Sequence, residues 1–79
     1  MPIVLRIGGY SFFFYVMEGN EPPHIHIKHS GRVAKYWLNP VKLADNIGFR
    51  PHELTEVRKM VNDNITLLQE AWDVNFPTT

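Results

Sequence analysis

Hydrophobic and polar positions alternate along the first half of the chain and change to a longer period in the second half. A two-residue period is typical of strands. Gly8-Gly9 and Ser30-Gly31 are typical of tight hairpin turns, and Asn39-Pro40 of a chain reversal. The pattern therefore predicts four strands, at residues 3–7, 10–16, 24–29 and 32–38. Residues 41–44 add either a short fifth strand or a helical turn.

From Pro51 onward, apolar residues recur at steps of three and four, which is typical of an amphipathic helix. We expect one long helix over residues 51–74, with Pro51 in its first turn and Glu53 at the positive end of its dipole. Strands followed by a helix predict an α+β domain, an antiparallel sheet of four to five strands with a C-terminal helix packed on one face. The apolar stripe of the helix comprises Leu54, Val57, Val61, Ile65, Leu68 and Trp72.

Length and composition narrow the class of protein. Seventy-nine residues suit a single small domain, residues 1–79, and the absence of cysteine excludes disulfides and Cys-ligated metal sites. A formal net charge of zero disfavours a protein that binds long nucleic acid through bulk charge. No signal peptide is recognisable, and the longest apolar run, residues 12–16, is too short to span a bilayer. We expect a soluble, cytoplasmic protein without a membrane partner.

The segment Pro22-Pro23-His24-Ile25-His26 is the most distinctive part of the chain. Residues two apart on a strand face the same side, so His24 and His26 should stand side by side while Ile25 points into the core. Two neighbouring imidazoles can share acid and base roles, bind a metal ion or contact phosphate. The segment therefore marks the candidate site.

A hairpin centred on Ser30-Gly31 predicts what surrounds these histidines. It pairs His26 with Lys35, His24 with Trp37, and Lys28 with Val33 on one face. That face is polar, with an exposed tryptophan. The opposite face is the predicted seat of the helix and collects Ile25, Ile27, Ala34, Tyr36 and Leu38.

The polar face permits three interpretations. As a catalytic site, His24 and His26 are an acid–base pair suited to cleavage at a ribose 2′-hydroxyl. Lys28 and Lys35 would then contact phosphate, and Trp37 would stack on a base. In a purely structural role, the histidines are half-exposed strand residues and the lysines deter edge-to-edge aggregation.

As a metal site, His24 and His26 supply two ligands, and zinc would require more. The candidates for the remaining ligands are Glu21, His29, His52 or a partner protein. His29 follows His26 by three positions, so its side chain should not lie on the polar face, and it is predicted to be a turn residue. His52 is predicted to be solvated in the first helical turn. We expect neither a metal nor another cofactor.

The chain resembles domain-of-unknown-function family 4160, a group of small bacterial proteins whose pattern includes Pro-Pro-His, an aromatic or aliphatic residue, and a second His. The segments that carry the resemblance are residues 1–10, 21–27 and 67–72, and His24 and His26 match its motif. The resemblance implies a toxin component of a toxin–antitoxin pair, with a family 2442-type partner encoded nearby. It supplies no catalytic residues.

Many relatives place Ser before the helix proline, whereas Arg50 here should weaken the helix cap by about 1 kcal/mol.

Residues and resemblance together favour a toxin-like protein that acts on RNA or the translation machinery as a metal-independent ribonuclease. Whether the chain is an enzyme stays open. One alternative is a non-catalytic interaction module, a homodimer or a partner-binding protein, because its second strand is denser in aromatic residues than one helix can cover. The other is a histidine-based metal-binding domain. The aromatic residues of the second strand are Tyr10, Phe12, Phe13, Phe14 and Tyr15.

Overall fold

A computed structural model describes residues 3–15 and 19–77 of the chain. It contains an antiparallel sheet and two helices, which confirms the α+β class. The predicted second strand extended to Val16, which lies outside the described residues. In chain order the elements are β1 (Ile3–Ile7), β2 (Tyr10–Phe13), β3 (His24–His29), β4 (Arg32–Leu38), β5 (Val41–Ile47), α1 (Pro51–Asp63) and α2 (Ile65–Asn75).

The sheet is a meander in which each strand pairs with its neighbour in sequence, in the order β1-β2-β3-β4-β5. Two of its turns take positive φ angles at both central residues, 50° and 85° at Gly8-Gly9 and 48° and 78° at Ser30-Gly31. Such turns match the right-handed twist of the strands that they join, so two-residue connections suffice. The predicted hairpins are confirmed.

The fifth strand is three residues longer than the segment that the alternation indicated. Leu43 pairs with Tyr36 and Asp45 with Lys35, so Ala44 is an extra residue that forms a bulge. A bulge reverses the alternation of side chains between the two faces. The strand therefore continues to Ile47 although its sequence pattern breaks at Ala44.

The core lies between the two helices and one face of the sheet. The five side chains that were predicted to contact the helix are all buried there, namely Ile25, Ile27, Ala34, Tyr36 and Leu38. They pack against Val57 and Val61 of α1 and Leu68 and Trp72 of α2. Phe12, Phe14 and Phe49 complete the same buried cluster.

The prediction of one long helix is confirmed only in part, because the helical segment is divided into two helices at Asn64. The Asn64 side chain donates a hydrogen bond to the carbonyl oxygen of Met60 (2.9 Å), and its backbone N–H contacts the Met60 and Val61 carbonyls. An asparagine amide competes with the backbone for such partners and disrupts a helix interior. The apolar stripe runs through the break from Val61 to Ile65, so the periodicity contains no sign of it.

Helix α1 begins with half of a capping box. The carboxylate of Glu53 accepts a hydrogen bond from the backbone N–H of Arg50 (3.0 Å). Arg50 cannot return the bond, because a guanidinium has no acceptor atom. Glu53 also pairs with Arg32 of β4, which ties the start of the helix to the sheet. The backbone hydrogen bond from Arg50, followed by the charge of Arg32, lowers the pKa of the Glu53 carboxyl.

We expect Glu53→Gln to lose stability at pH 7 and to differ less from the wild type in acid. The lowered pKa means that the carboxylate stabilises the fold at pH values above its ordinary value of 4.5. That stability disappears as the pH falls through the lowered pKa. Urea unfolding at pH 7 and pH 3 measures the difference. Glu56→Gln, on an exposed position of α1, is the control, and an equal pH dependence of both variants would contradict the prediction.

Candidate functional site

The candidate site lies on the face of the sheet opposite the helices, which we call the outer face. The hairpin register is confirmed, with His24 paired with Trp37 and His26 with Lys35. Lys28 lies opposite Val33, one row nearer the hairpin turn. The predicted site residues therefore do share one face of β3 and β4.

The two histidines are more enclosed than expected for half-exposed strand residues. His24 is fully buried, and His26 is 7% exposed. The ring of His24 lies 5.0 Å from that of Trp72 and 5.6 Å from that of Trp37. Trp72 belongs to the apolar stripe of the predicted helix and lies on α2. Because its ring contacts His24, α2 covers this histidine at the end of the sheet.

The tautomer of His24 follows from its hydrogen bond. Its Nδ1 atom lies 2.9 Å from the carbonyl oxygen of Pro22, and a carbonyl oxygen only accepts. Nδ1 therefore carries a proton. The adjacent Pro23 carbonyl accepts from the backbone N–H of Leu38 (3.0 Å), which anchors the diproline to β4. The two prolines thus hold the carbonyl that orients His24, which gives the Pro-Pro-His order a physical reason.

His26 lies in an aromatic setting and borders a shallow opening. Its ring is stacked on Phe13 (5.5 Å between centroids) and meets the edge of Tyr15 (4.5 Å) and of His24 (5.2 Å). Beside it is a depression of about 150 Å³, whose lining includes Tyr15, His26, Lys35 and Asp45. We call it the His26 depression. Through this depression the His26 imidazole borders the surface of the outer face.

Lys35 has two partners on the outer face. Its ammonium group pairs with the carboxylate of Glu21 (2.6 Å) and lies 4.6 Å from the centre of the Trp37 ring. The side chain of Glu21 is 42% exposed, so water weakens the ion pair. Separating this ion pair therefore costs little free energy.

The additional metal ligands considered from the sequence do not gather around the histidine pair. Glu21 pairs with Lys35, and His52 is exposed on α1. The ring of His29 stacks on Tyr10 (4.3 Å), and Arg32 donates to its Nδ1 atom (3.3 Å). Within residues 3–15 and 19–77, no three His, Asp or Glu side chains lie together in a way that could hold a metal ion.

Three contributors to the site escaped the sequence analysis. Asp45 enters the His26 depression because of the β5 bulge, which breaks the alternation that would have predicted its face. The hydrophobic pattern also contained no sign that Phe13 stacks on His26 or that Glu21 pairs with Lys35. Phe13 could have been found from its register opposite His26, once the length of the β2–β3 connection was known.

Residues 9–73 match the family described as Domain of unknown function (DUF4160). The chain belongs to this family. The match includes β2 to β5, helix α1 and most of α2, and thus every residue of the candidate site. No curated protein and no solved structure matches the chain significantly. In the described part of this DUF4160 protein, no helix is long and apolar enough to cross a membrane.

We expect His24→Ala to destabilise the protein by about 2 kcal/mol or more, because it removes a buried ring and leaves the Pro22 carbonyl without its donor. His52→Ala, at an exposed position, should change the free energy of unfolding by less than about 0.5 kcal/mol. Urea unfolding measures both. A His24→Ala protein as stable as His52→Ala would mean that the burial of His24 contributes nothing to the fold.

Proposed function

We propose that the chain is a toxin-like component of a bacterial two-component module and that it acts on RNA in the cytoplasm. The observation that carries this proposal is the His26 depression, whose lining contains both His26 and Lys35, its register partner on β4. Cleavage of a phosphodiester requires a base to remove a proton and a cation where negative charge accumulates. This pair supplies both groups without a resident metal.

The proposed step is transesterification at a ribose. His26 accepts the proton of the 2′-hydroxyl, and the 2′-oxygen forms a bond to the adjacent phosphorus. The bond from phosphorus to the 5′-oxygen breaks, which leaves a 2′,3′-cyclic phosphate and a 5′-oxygen. That oxygen takes a proton from water, and the resulting hydroxide removes the proton from the His26 imidazolium. The enzyme is thereby returned to its starting state.

The other site residues take supporting roles in this proposal. Lys35 exchanges Glu21 for the phosphate, and Lys28 contacts phosphate further along the strand. The half-buried ring of Trp37 offers a surface on which a base can stack. Stacking of this kind tolerates any base, so we expect weak sequence preference at this position.

The two histidines have unequal roles. Because His24 is fully buried and donates to Pro22, its burial favours a positioning role over direct contact with substrate. Its ring lies 5.2 Å from that of His26, roughly at a right angle to it. We infer that His24 orients His26, which touches the substrate.

We expect His26→Ala to lower the rate of RNA cleavage by about 100-fold or more, the usual contribution of a general base. His52→Ala is the matched control and should cleave as the wild type does, because His52 lies on the opposite layer of the fold. Gel analysis of a labelled single-stranded RNA measures the rates, with circular dichroism to verify folding. Equal cleavage by wild type and folded His26→Ala would remove the mechanism.

A second candidate function is a non-catalytic interaction module. Apolar side chains flank the candidate site on the outer face, with Ile47 64%, Ile3 45% and Tyr15 44% exposed. Burial of such residues drives protein association. A family 2442-type protein or a second copy that covered them would also cover the His26 depression. This surface therefore suits either an interaction module or the antitoxin contact of an enzyme.

If the chain is an interaction module, we expect it to form a dimer or to co-purify with a co-expressed family 2442-type protein, and RNA to stay intact. Ile47→Asp should abolish that association, because it places a charge in the apolar surface. Val74→Asp is the control, since Val74 is 79% exposed on α2, away from the sheet. Light scattering measures the mass. A strictly monomeric wild type that binds no such partner would exclude this function.

A further inference from the structure

A second cleft lies on the outer face, where the tips of the two glycine-containing hairpins border one space of about 330 Å³. We call it the hairpin cleft and define it by Gly9, Ser11, Lys28 and Ser30. Ile3, Phe13 and His29 also line it, and no carboxylate from residues 3–15 or 19–77 does. The lining therefore combines hydrogen-bond donors and one positive charge with apolar side chains.

The ammonium group of Lys28 is available to a ligand. Lys28 is exposed, and among the described residues it makes no ion pair. The two other basic residues of the β3–β4 hairpin are occupied, Lys35 by Glu21 and Arg32 by Glu53. Ser11 lies directly opposite Lys28 in the register, so its hydroxyl belongs to the same row of the outer face.

Ser30 occupies a turn position at which glycine is the favoured residue type. Its φ angle is 48°, in the left-handed region that L side chains rarely adopt, whereas the equivalent turn between β1 and β2 has glycine at both central positions. A glycine at position 30 would relieve this strain. Serine instead brings a hydroxyl to the lining of the hairpin cleft. Local strain at a ligand site is a recurrent sign of function.

We propose that the hairpin cleft is a phosphate-binding subsite, which holds the phosphate next to the scissile one in single-stranded RNA. This inference rests on the proposed function. Lys28 follows His26 by two residues on β3, a distance of about 7 Å along the strand. Successive phosphates of an extended nucleic-acid strand are spaced similarly. The RNA then lies along β3, with one phosphate beside Lys35 and the next in the hairpin cleft.

The arrangement favours a single strand over a duplex. The proposed step needs a ribose that can rotate its 2′-oxygen into line with the leaving oxygen, and the Trp37 ring needs an unstacked base. Both are properties of single-stranded RNA. Two phosphate contacts along one strand also leave the bases free of sequence-specific readout.

The first experiment uses inorganic phosphate as the probe. Titration followed by amide chemical shifts should perturb Ser11, Lys28 and Ser30 in the wild type, and Lys28→Ala should weaken binding severalfold. Lys59→Ala is the control, because Lys59 lies on α1 beside Asp63. Shifts scattered over the surface, or unchanged binding by Lys28→Ala, would overturn the subsite.

Ser30→Gly separates a ligand-binding role from a structural one. We expect this variant to unfold at a higher urea concentration, because the strained residue is replaced, and yet to bind phosphate more weakly, because the hydroxyl is lost. The two effects have opposite signs, so loss of fold cannot imitate the result. A stabilised Ser30→Gly protein that binds phosphate as tightly as the wild type would overturn the assignment of Ser30.

The second experiment tests whether the phosphate belongs to RNA. A dinucleotide with a 2′-deoxyribose at the scissile position cannot be cleaved, and it is compared with the same molecule carrying a terminal phosphate. The added phosphate should tighten binding to the wild type but not to Lys28→Ala. It should also steepen the dependence of log affinity on log salt by about 0.7, the value for one phosphate contact on a single strand.

The outcomes distinguish this inference from the proposed function. An equal gain from the terminal phosphate in wild type and Lys28→Ala would overturn the subsite even where cleavage depends on His26. Binding of inorganic phosphate without any gain from the terminal phosphate would overturn its assignment to RNA. A Lys28-dependent gain supports the subsite, and it does so even if His26→Ala cleaves RNA as the wild type does, a result that removes only the role of His26 as the base.

Discussion

The register between β3 and β4 is the constraint on which the rest of the structure depends. It places Ile25 and Ile27 in the core and turns His24 and His26 to the outer face. Because side chains on a strand alternate with a period of two, a shift by one residue would exchange the two sets. The apolar core would then face water and the imidazoles would face the helices. The two-residue turn at Ser30-Gly31 and the burial of both isoleucines enforce one register, and so the fold and the site share one cause.

The candidate site is also joined to the core through aromatic rings. His24 contacts Trp72, which packs with Phe14 and Phe76 at the end of the sheet. His26 contacts the ring of His24 and the ring of Phe13. The packing that stabilises α2 on the sheet therefore also fixes the orientation of the imidazoles. A side chain held in this way loses little further entropy when a ligand binds.

Strands, hairpin register and the two faces of the sheet could be predicted because they depend on the alternation of neighbouring residues. The break at Asn64 could not, since the apolar stripe passes through it, and the bulge at Ala44 interrupts the pattern on which strand prediction relies. The enclosure of His24 was missed for a different reason. Alternation assigns a residue to a face but contains no information on which distant rings cover that face. Here the ring that escaped prediction is Trp72 of α2, which is remote in sequence from β3.

The meander order of the sheet has a kinetic consequence. Every strand pairs with the strand before or after it, so no pairing has to wait for a long loop to close. A low contact order of this kind accompanies rapid folding, on the order of milliseconds for small mixed domains. Because Trp72 of α2 lies against His24, the enclosure of this imidazole requires α2 to be packed on the sheet.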